Sequence, residues 1–508
     1  MDTNQVRSDE QVPDRDGTAR DGQCPLSPAE QRRNLILFAS CTGLLYLAAP
    51  VLYVGVTQAA LCDHLGADAK LANLPGTCYF AMTAMPAVIA WLFPYVSFLK
   101  RNLVGCYSIT ATMLAVMALV LMIPLPDHVR IGFVILQGAV SGITMPAAIA
   151  FLWEAIGRGT SPSRRGLALS LAFGAGPMLA VIGSLGSQLL LSGELGGWKI
   201  ENLPYPWNFA SLFAAAVPAM ALAALLASRF VVPLPDVEAV REPFSKVAGL
   251  CAGIVAGSLA LLLYYLEIEF AIPGFNARVP ASLIGHLMLA LAGVLFVHHF
   301  RDILTQRVLL IATIVTVLIY SGNTISSNMN LYTPEVLDAL PEEYAGYQNT
   351  LRFGFKVVAG FLLGWLLTKT NPKAGILLTG CVFVSAQLWA IFATGTMYLV
   401  AFGLYGAGEL IGVYAPNYIL SASSRSQMRR NMAFVTMLMA PAAPTGYLFG
   451  AISDYIREHN ITAFGVASSK SFGFQTSFAV CAALMVSGIL LAVCFLPARP
   501  NSDQPTST

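Results

Sequence analysis

Apolar residues gather in fourteen long runs separated by short polar stretches. They cover about 34–60, 75–98, 103–123, 130–156, 167–191, 208–232, 247–266, 281–299, 307–332, 347–368, 374–394, 397–420, 432–454 and 472–496. Each is close to the roughly 20 mostly apolar residues that a helix needs to cross a bilayer. Within lipid a helix satisfies its own backbone, so each run, numbered 1 to 14 in order, is expected to be a spanning helix. Run 1 starts just after Arg32 and Arg33 and is too long for a cleavable signal core, so it is expected to be retained.

An even number of spans puts both termini on one side. With the N-terminus inside, the inner segments hold eighteen lysines and arginines near the spans and the outer segments six. Positive charge collects on the cytoplasmic side, so both termini are expected to be cytoplasmic, in a plasma (inner, cytoplasmic) membrane.

The pattern also repeats. At an offset of 265 residues run 6 falls on run 14, with Phe209, Phe213, Met220, Phe230 and Pro235 on Phe474, Phe478, Met485, Phe495 and Pro500. At the same offset Arg165 and Ala168 fall on Arg430 and Ala433, in matching inner segments. Weak internal repeats of this kind typify transporters. The expected organisation is a polar tail 1–33, a six-helix bundle 34–235, a linker with an inserted helix pair 236–300, a second six-helix bundle 301–497 and a tail 498–508. The fold class is an all-α integral membrane protein of two pseudo-symmetric six-helix bundles with a two-helix insertion.

Composition narrows the function. The chain has 508 residues, 56% hydrophobic and 11% charged, with mean hydropathy +0.67. A soluble chain has about 25% charged residues, so a soluble enzyme, a nucleic-acid binder and a disordered protein are excluded. A net charge of +2 points to no polyanion partner. The nine cysteines show no metal-binding spacing and there is no phosphate loop, so neither a metal, a cofactor nor ATP drive is expected. Cys62 and Cys78 are the pair placed to meet, bonded or as free thiols.

Ionisable side chains inside a bilayer are costly and mark functional candidates. Lys356 lies mid-way along run 10, Glu409 mid-way along run 12 and His286 in run 8. Arg352 is one turn from Lys356 on the same face. Lys356 and Glu409 are expected to pair, and a pair at this depth can carry a proton or exchange partners with a solute. As a two-residue pair, losing both should cost less than losing either. Arg352 either joins Lys356 in holding a carboxylate or phosphate, or snorkels to the outer interface. His286 is expected to be a satisfied helix contact.

Run 9 is unusually polar. Tyr320, Asn323, Ser327 and Asn330 recur at helical spacing and share a face expected to line a cavity. Tyr46 and Tyr53 share a face of run 1, Gln137 lies on run 4 with Ser141 and Thr144, and Tyr405 is one turn from Glu409. Aromatics with amides and hydroxyls suit a polar organic solute, and they also pack cores. Gly138, Gly142, Gly174, Gly176, Gly183 and Gly186 are expected to let runs 4 and 5 approach closely.

Six plus two plus six helices with basic inner segments resemble the major facilitator superfamily. The layout looks like its fourteen-helix drug:proton antiporters and its peptide:proton symporters. The family's inner-loop motif, Gly-x-x-x-Asp-Arg-x-Gly-Arg, is matched after run 10 by Gly364, Lys369 and Lys373, with Thr368 in place of the aspartate. Run 4 has Gln137-Gly138, with Val134 where the antiporters place an arginine, and run 5 has Gly174-Ala175-Gly176-Pro177. Glu154 followed by Arg164 and Arg165 resembles the family's inner latch, with Arg429 and Arg430 in the second half; simple positive-inside anchoring fits these charges equally.

The resemblance implies that runs 10 and 12 line a central cavity, and that a monomer moves a small-molecule solute with a coupling proton or ion. The expected function is a secondary active transporter of a small polar organic solute by alternating access, with an anionic solute as its narrower reading. A lipophilic-cation exporter is the alternative; a transport-dead sensor and a membrane enzyme fit less well.

Overall fold

The computed structural model describes residues 26–161, 175–201, 203–234, 243–266, 268–271, 278–422, 434–435 and 437–500. Among these, ten helices are long and apolar enough to cross a membrane, in runs 2, 3, 4, 6, 7, 8, 9, 11, 12 and 14. The other four runs contain helices among the described residues too. Run 1 is broken into Pro28–Leu47, Ala49–Leu52 and Val56–His64. Run 10 is one helix, Pro341–Lys369, that carries Arg352 and Lys356. The helix Gly176–Ser192 of run 5 follows a segment outside the described residues, and Pro444–Glu458 of run 13 follows the short turn Ala440–Ala442.

Local chemistry sets these boundaries. Ser27 accepts the Glu30 amide while the Glu30 carboxylate accepts that of Ser27, a capping box that starts run 1, with Pro28 in the first turn. Run 1 breaks around Pro50 and Gly55, the latter at φ 155°, which favours glycine. A broken helix inside a membrane leaves backbone groups that need new partners. Here the side-chain amides of Gln58 and Gln137 both donate to the Val51 carbonyl, at 2.9 and 3.0 Å. Run 9 also breaks, into Arg307–Thr324 and Ser326–Leu331, and run 12 into Val400–Gly408 and Ile411–Ser421 with Glu409 at the break.

The two bundles repeat one packing scheme. In the first, run 2 packs on run 4, run 3 on runs 4 and 6, and run 1 on run 6. In the second, run 10 packs on run 12, run 11 on runs 12 and 14, and run 9 on run 14. Gly138 and Gly142 do not join runs 4 and 5 as expected. A Cβ at either would strike the backbone of Pro75 or Tyr79, so they seat run 4 on run 2, while Gly183 lies on Leu47 of run 1.

Runs 7 and 8, Ala248–Leu266 and Ala281–His299, pack on each other and are joined by the ribbon Glu269–Ala271 with Arg278–Pro280. The helix of run 8 buries only Ala281 and Gly285. His286 is satisfied on its own helix by the Ser282 carbonyl and meets Tyr264 of run 7 edge-on at 5.4 Å. Cys62 and Cys78 are separate buried thiols.

Candidate functional site

The break in run 12 places Glu409 against run 10. Gly406 makes this approach possible: any Cβ there would strike the Arg352 carbonyl. Arg352 Nη2 donates to Glu409 Oε1 at 2.5 Å and Arg352 Nε to Oε2 at 3.0 Å. Lys356 Nζ donates to the same Oε2 at 2.8 Å. The Arg352 guanidinium also lies over two rings, 5.2 Å from that of Tyr405 and 5.4 Å from that of Phe353. Exposure of the side chains is 3% for Arg352, 15% for Lys356 and 10% for Glu409. Arg352 therefore does not snorkel to an interface. It is the main partner of Glu409, and the expected pair is a triad.

Two cations on one carboxylate leave the cluster with a formal excess of one positive charge. Arg352 Nη1 is buried without a hydrogen-bond partner. Such a donor in a dry site is costly until a ligand takes it up.

The first bundle contributes an uncharged aromatic wall. Tyr46 and Tyr53 stack at 5.9 Å, and both meet Phe353 edge-on, at 6.5 and 5.7 Å. Tyr79 of run 2 stands within electrostatic reach of Arg352 and Glu409. The triad thus lies at the join between the bundles.

One end of this join is closed by bonds that cross it. Asp454 of run 13 accepts the Ala69 and Lys70 amides at 3.2 and 2.7 Å, capping the helix of run 2 from the opposite bundle. Asn73 donates to Asn328 at 2.5 Å, and Gln188 accepts the Tyr347 amide at 2.9 Å. His64 Nδ1 lies 3.0 Å from Glu342 Oε1. This hydrogen bond raises the His64 pKa above its ordinary value against the opposing effect of burial. A cavity of about 650 Å³ bordered by His64, Gln188, Tyr205, Glu342 and Tyr347 opens at this end.

The other expected positions divide. Tyr405 is buried and donates to the Asn323 carbonyl at 2.8 Å, while Asn323 Nδ2 is buried without a partner. Tyr320 is buried in the same core, and Ser327 lies at the join under Gly76. Asn330 does not face a cavity: it donates to Pro341 and Gln348 inside its own bundle. The break at Ile325 turns the polar stripe, so that Asn328, off the expected face, reaches across the join. Gln137 is fully buried and engaged with Val51, Ser141 and Gln58, a clasp for the broken helix rather than a solute contact.

Of the expected inner latch, the described residues include only the Glu154 side and the segment 364–373. Glu154 bonds Arg158, one turn along its own helix, at 2.8 Å. Lys373 caps the end of run 14 through the Val493 and Leu496 carbonyls. Lys369 is exposed and Gly364 lies within the helix Pro341–Lys369. Arg164, Arg165, Arg429 and Arg430 lie outside the described residues.

Sequence reasoning missed Tyr79, Phe353, His64, Glu342 and Asp454. Tyr79 and Phe353 read as ordinary apolar-run aromatics, and the other three as charges at run ends. The sequence signal for Phe353 was its place between Arg352 and Lys356.

No family model matches the chain, and no curated protein matches it by sequence. Solved structures do resemble it. A peptide transporter POT in complex with sulfate gives a TM-score of 0.61 at 14% identity, over 91% of this chain and 94% of that one. A POT family transporter in complex with 5-aminolevulinic acid gives 0.60 at 15%, over 92% and 96%. A bacterial homologue of the human drug peptide transporters gives 0.59 at 14%, over 91% and 98%. At such identities the likeness establishes architecture: the chain is an all-α integral membrane protein with the major facilitator fold.

Proposed function

We propose that the protein is a secondary active transporter that moves a small polar organic solute bearing an anionic group, by alternating access. The observation that carries this reading is the Arg352–Lys356–Glu409 triad, buried where the two bundles meet and left with an unpartnered guanidinium N–H. The solute site lies between the triad, Tyr405 and Asn323 on one side and Tyr46 and Tyr53 on the other. The seam at Asp454 and His64 closes one end, the conformation expected of a carrier open towards the opposite end.

Fourteen spans, cytoplasmic termini, the plasma membrane, a monomer and coupling to a proton or ion through Lys356 and Glu409 belong to this proposal. Neighbours whose structures are described as peptide transporters support a carrier over a membrane enzyme. The lipophilic-cation exporter loses support because Glu409 already faces two cations.

Thermal shifts of the purified protein against anionic, neutral and cationic solutes test the reading, followed by uptake of any hit into proteoliposomes. A ligand at 100 times its dissociation constant stabilises by about 2.7 kcal/mol. Hits among carboxylates or phosphates, weakened in Lys356→Ala, are expected. Hits confined to lipophilic cations would overturn it.

A further inference from the structure

The charge inside the bundles is unbalanced, and the imbalance specifies a ligand. Of the chain's 27 acidic residues, Glu409 alone lies near the middle of an apolar run; the rest stand in tails, connections or run ends. The bundle segments outside the described residues, 162–174, 423–433 and 436, contain no aspartate or glutamate. The cations near mid-run are Arg352 and Lys356. The interior therefore sums to one positive charge, and that charge has a free donor, Arg352 Nη1, on a side chain 3% exposed.

We infer that the solute is a monoanionic organic acid without an amino group. This rests on the carrier reading above. A single negative charge neutralises the site and takes up Nη1, where an unbalanced buried charge is otherwise costly. A zwitterion leaves the sum at one positive charge and brings an ammonium that needs an acceptor. Both Glu409 oxygens already accept hydrogen bonds, from three donors in total. The rings of Phe353 and Tyr405 already face Arg352, and that of Phe353 faces Lys356 as well. A dianion overshoots to a net negative site. The inference separates this chain from its peptide-transporting neighbours, because a free peptide carries an ammonium as well as a carboxylate.

The experiment uses the full-length purified chain and matched probes at neutral pH: propanoate with alanine, hexanoate with norleucine, 3-phenylpropanoate with phenylalanine, and glutarate as a dianion. Thermal shift gives the half-maximal concentration of each. At least one acid should act at a concentration about tenfold or more below its α-amino counterpart and below glutarate, a gap of about 1.4 kcal/mol. Lys356→Met leaves a neutral Arg352–Glu409 pair and should bring that ratio towards one. If this variant fails to fold, the wild-type ratio decides alone. Amino acids acting as well as acids, glutarate acting best, or an unchanged ratio in Lys356→Met would overturn the inference while leaving a carrier. No response to any probe, with no uptake into proteoliposomes, would overturn both.

Discussion

The two bundles share one packing scheme and differ in what they bury. The first holds its broken helix together with neutral amides, Gln58 and Gln137 on the Val51 carbonyl. The second holds its break against run 10 with three charges, Glu409, Arg352 and Lys356. The residue 265 positions before Glu409 is Thr144, which bonds only Thr110 and its own helix. One framework therefore carries a neutral core and a charged one. A charged core is costly to stability unless a ligand completes it, so chemistry should reside in the second bundle while the first supplies the opposing wall.

Glu409→Ala is the largest test of that contrast. It strands two buried cations and should cost about 3–5 kcal/mol and abolish uptake. Thr144→Val in the first bundle should cost at most about 1.5 kcal/mol and leave uptake intact. The triad also changes the expectation drawn from a two-residue pair. Removing Lys356 with Glu409 strands Arg352 alone, so that double variant should lose less than Glu409→Ala, which strands two cations, but more than Lys356→Met. Lys356→Met alone should be the mildest of the three triad variants, because it leaves a neutral pair. Thermal unfolding of the four proteins ranks them, and equal losses in Glu409→Ala and Thr144→Val would erase the difference between the bundles.

Gln137→Leu sharpens the same contrast from the other side. The sequence places Gln137 on a face suited to solute, but its amide is spent on Val51 and Ser141. Leucine there leaves the Val51 carbonyl with the Gln58 donor alone, a loss of about 0.5–1.5 kcal/mol for a net hydrogen bond. The expected result is a lower melting temperature with an unchanged order of preference among solutes. A changed preference would return Gln137 to the binding site.

What was legible in the sequence follows from which forces act locally. Apolar runs and their flanking charges depend on the bilayer alone, and the described helices fall on the runs, with that of run 2 starting and ending six residues early. Lys356 and Glu409 stood out because mid-membrane charge is rare. Arg352 was ambiguous because a position one turn from Lys356 does not say where a long side chain turns. The face of run 9 was misjudged past Ile325, because helical spacing presumes an unbroken helix and no single residue announces the break. Asp454 and His64 stayed hidden because charges at run ends are ordinary, and only the meeting of two bundles gives them partners.

The smallest expected effect lies at the seam, where neither bundle acts alone. His64 belongs to the first bundle and Glu342 to the second, and the histidine ring lies 4.2 Å from that of Tyr205. The hydrogen bond to Glu342 raises the His64 pKa, with Asp63 and Asp127 adding to it against burial. When the bundles part, His64 loses Glu342 and returns towards its ordinary value near 6.5. The closed seam thus binds the proton more tightly than the open one. Its stabilisation is fully present below that ordinary value and is lost as pH rises through the raised one. Spin labels at the exposed positions Trp198 and Phe464, with Cys24, Cys251, Cys381 and Cys494 replaced by serine, report the separation at this end. The separated population should grow as pH rises above the ordinary histidine value near 6.5, by less than about 1 kcal/mol, as a partly exposed pair allows. His64→Gln should flatten the profile while leaving the Asp454 cap in place. A profile unchanged in His64→Gln would move the proton dependence of the seam to Asp454, a group contributed by the second bundle, and so extend the charged character of that bundle from the middle of the membrane to its end.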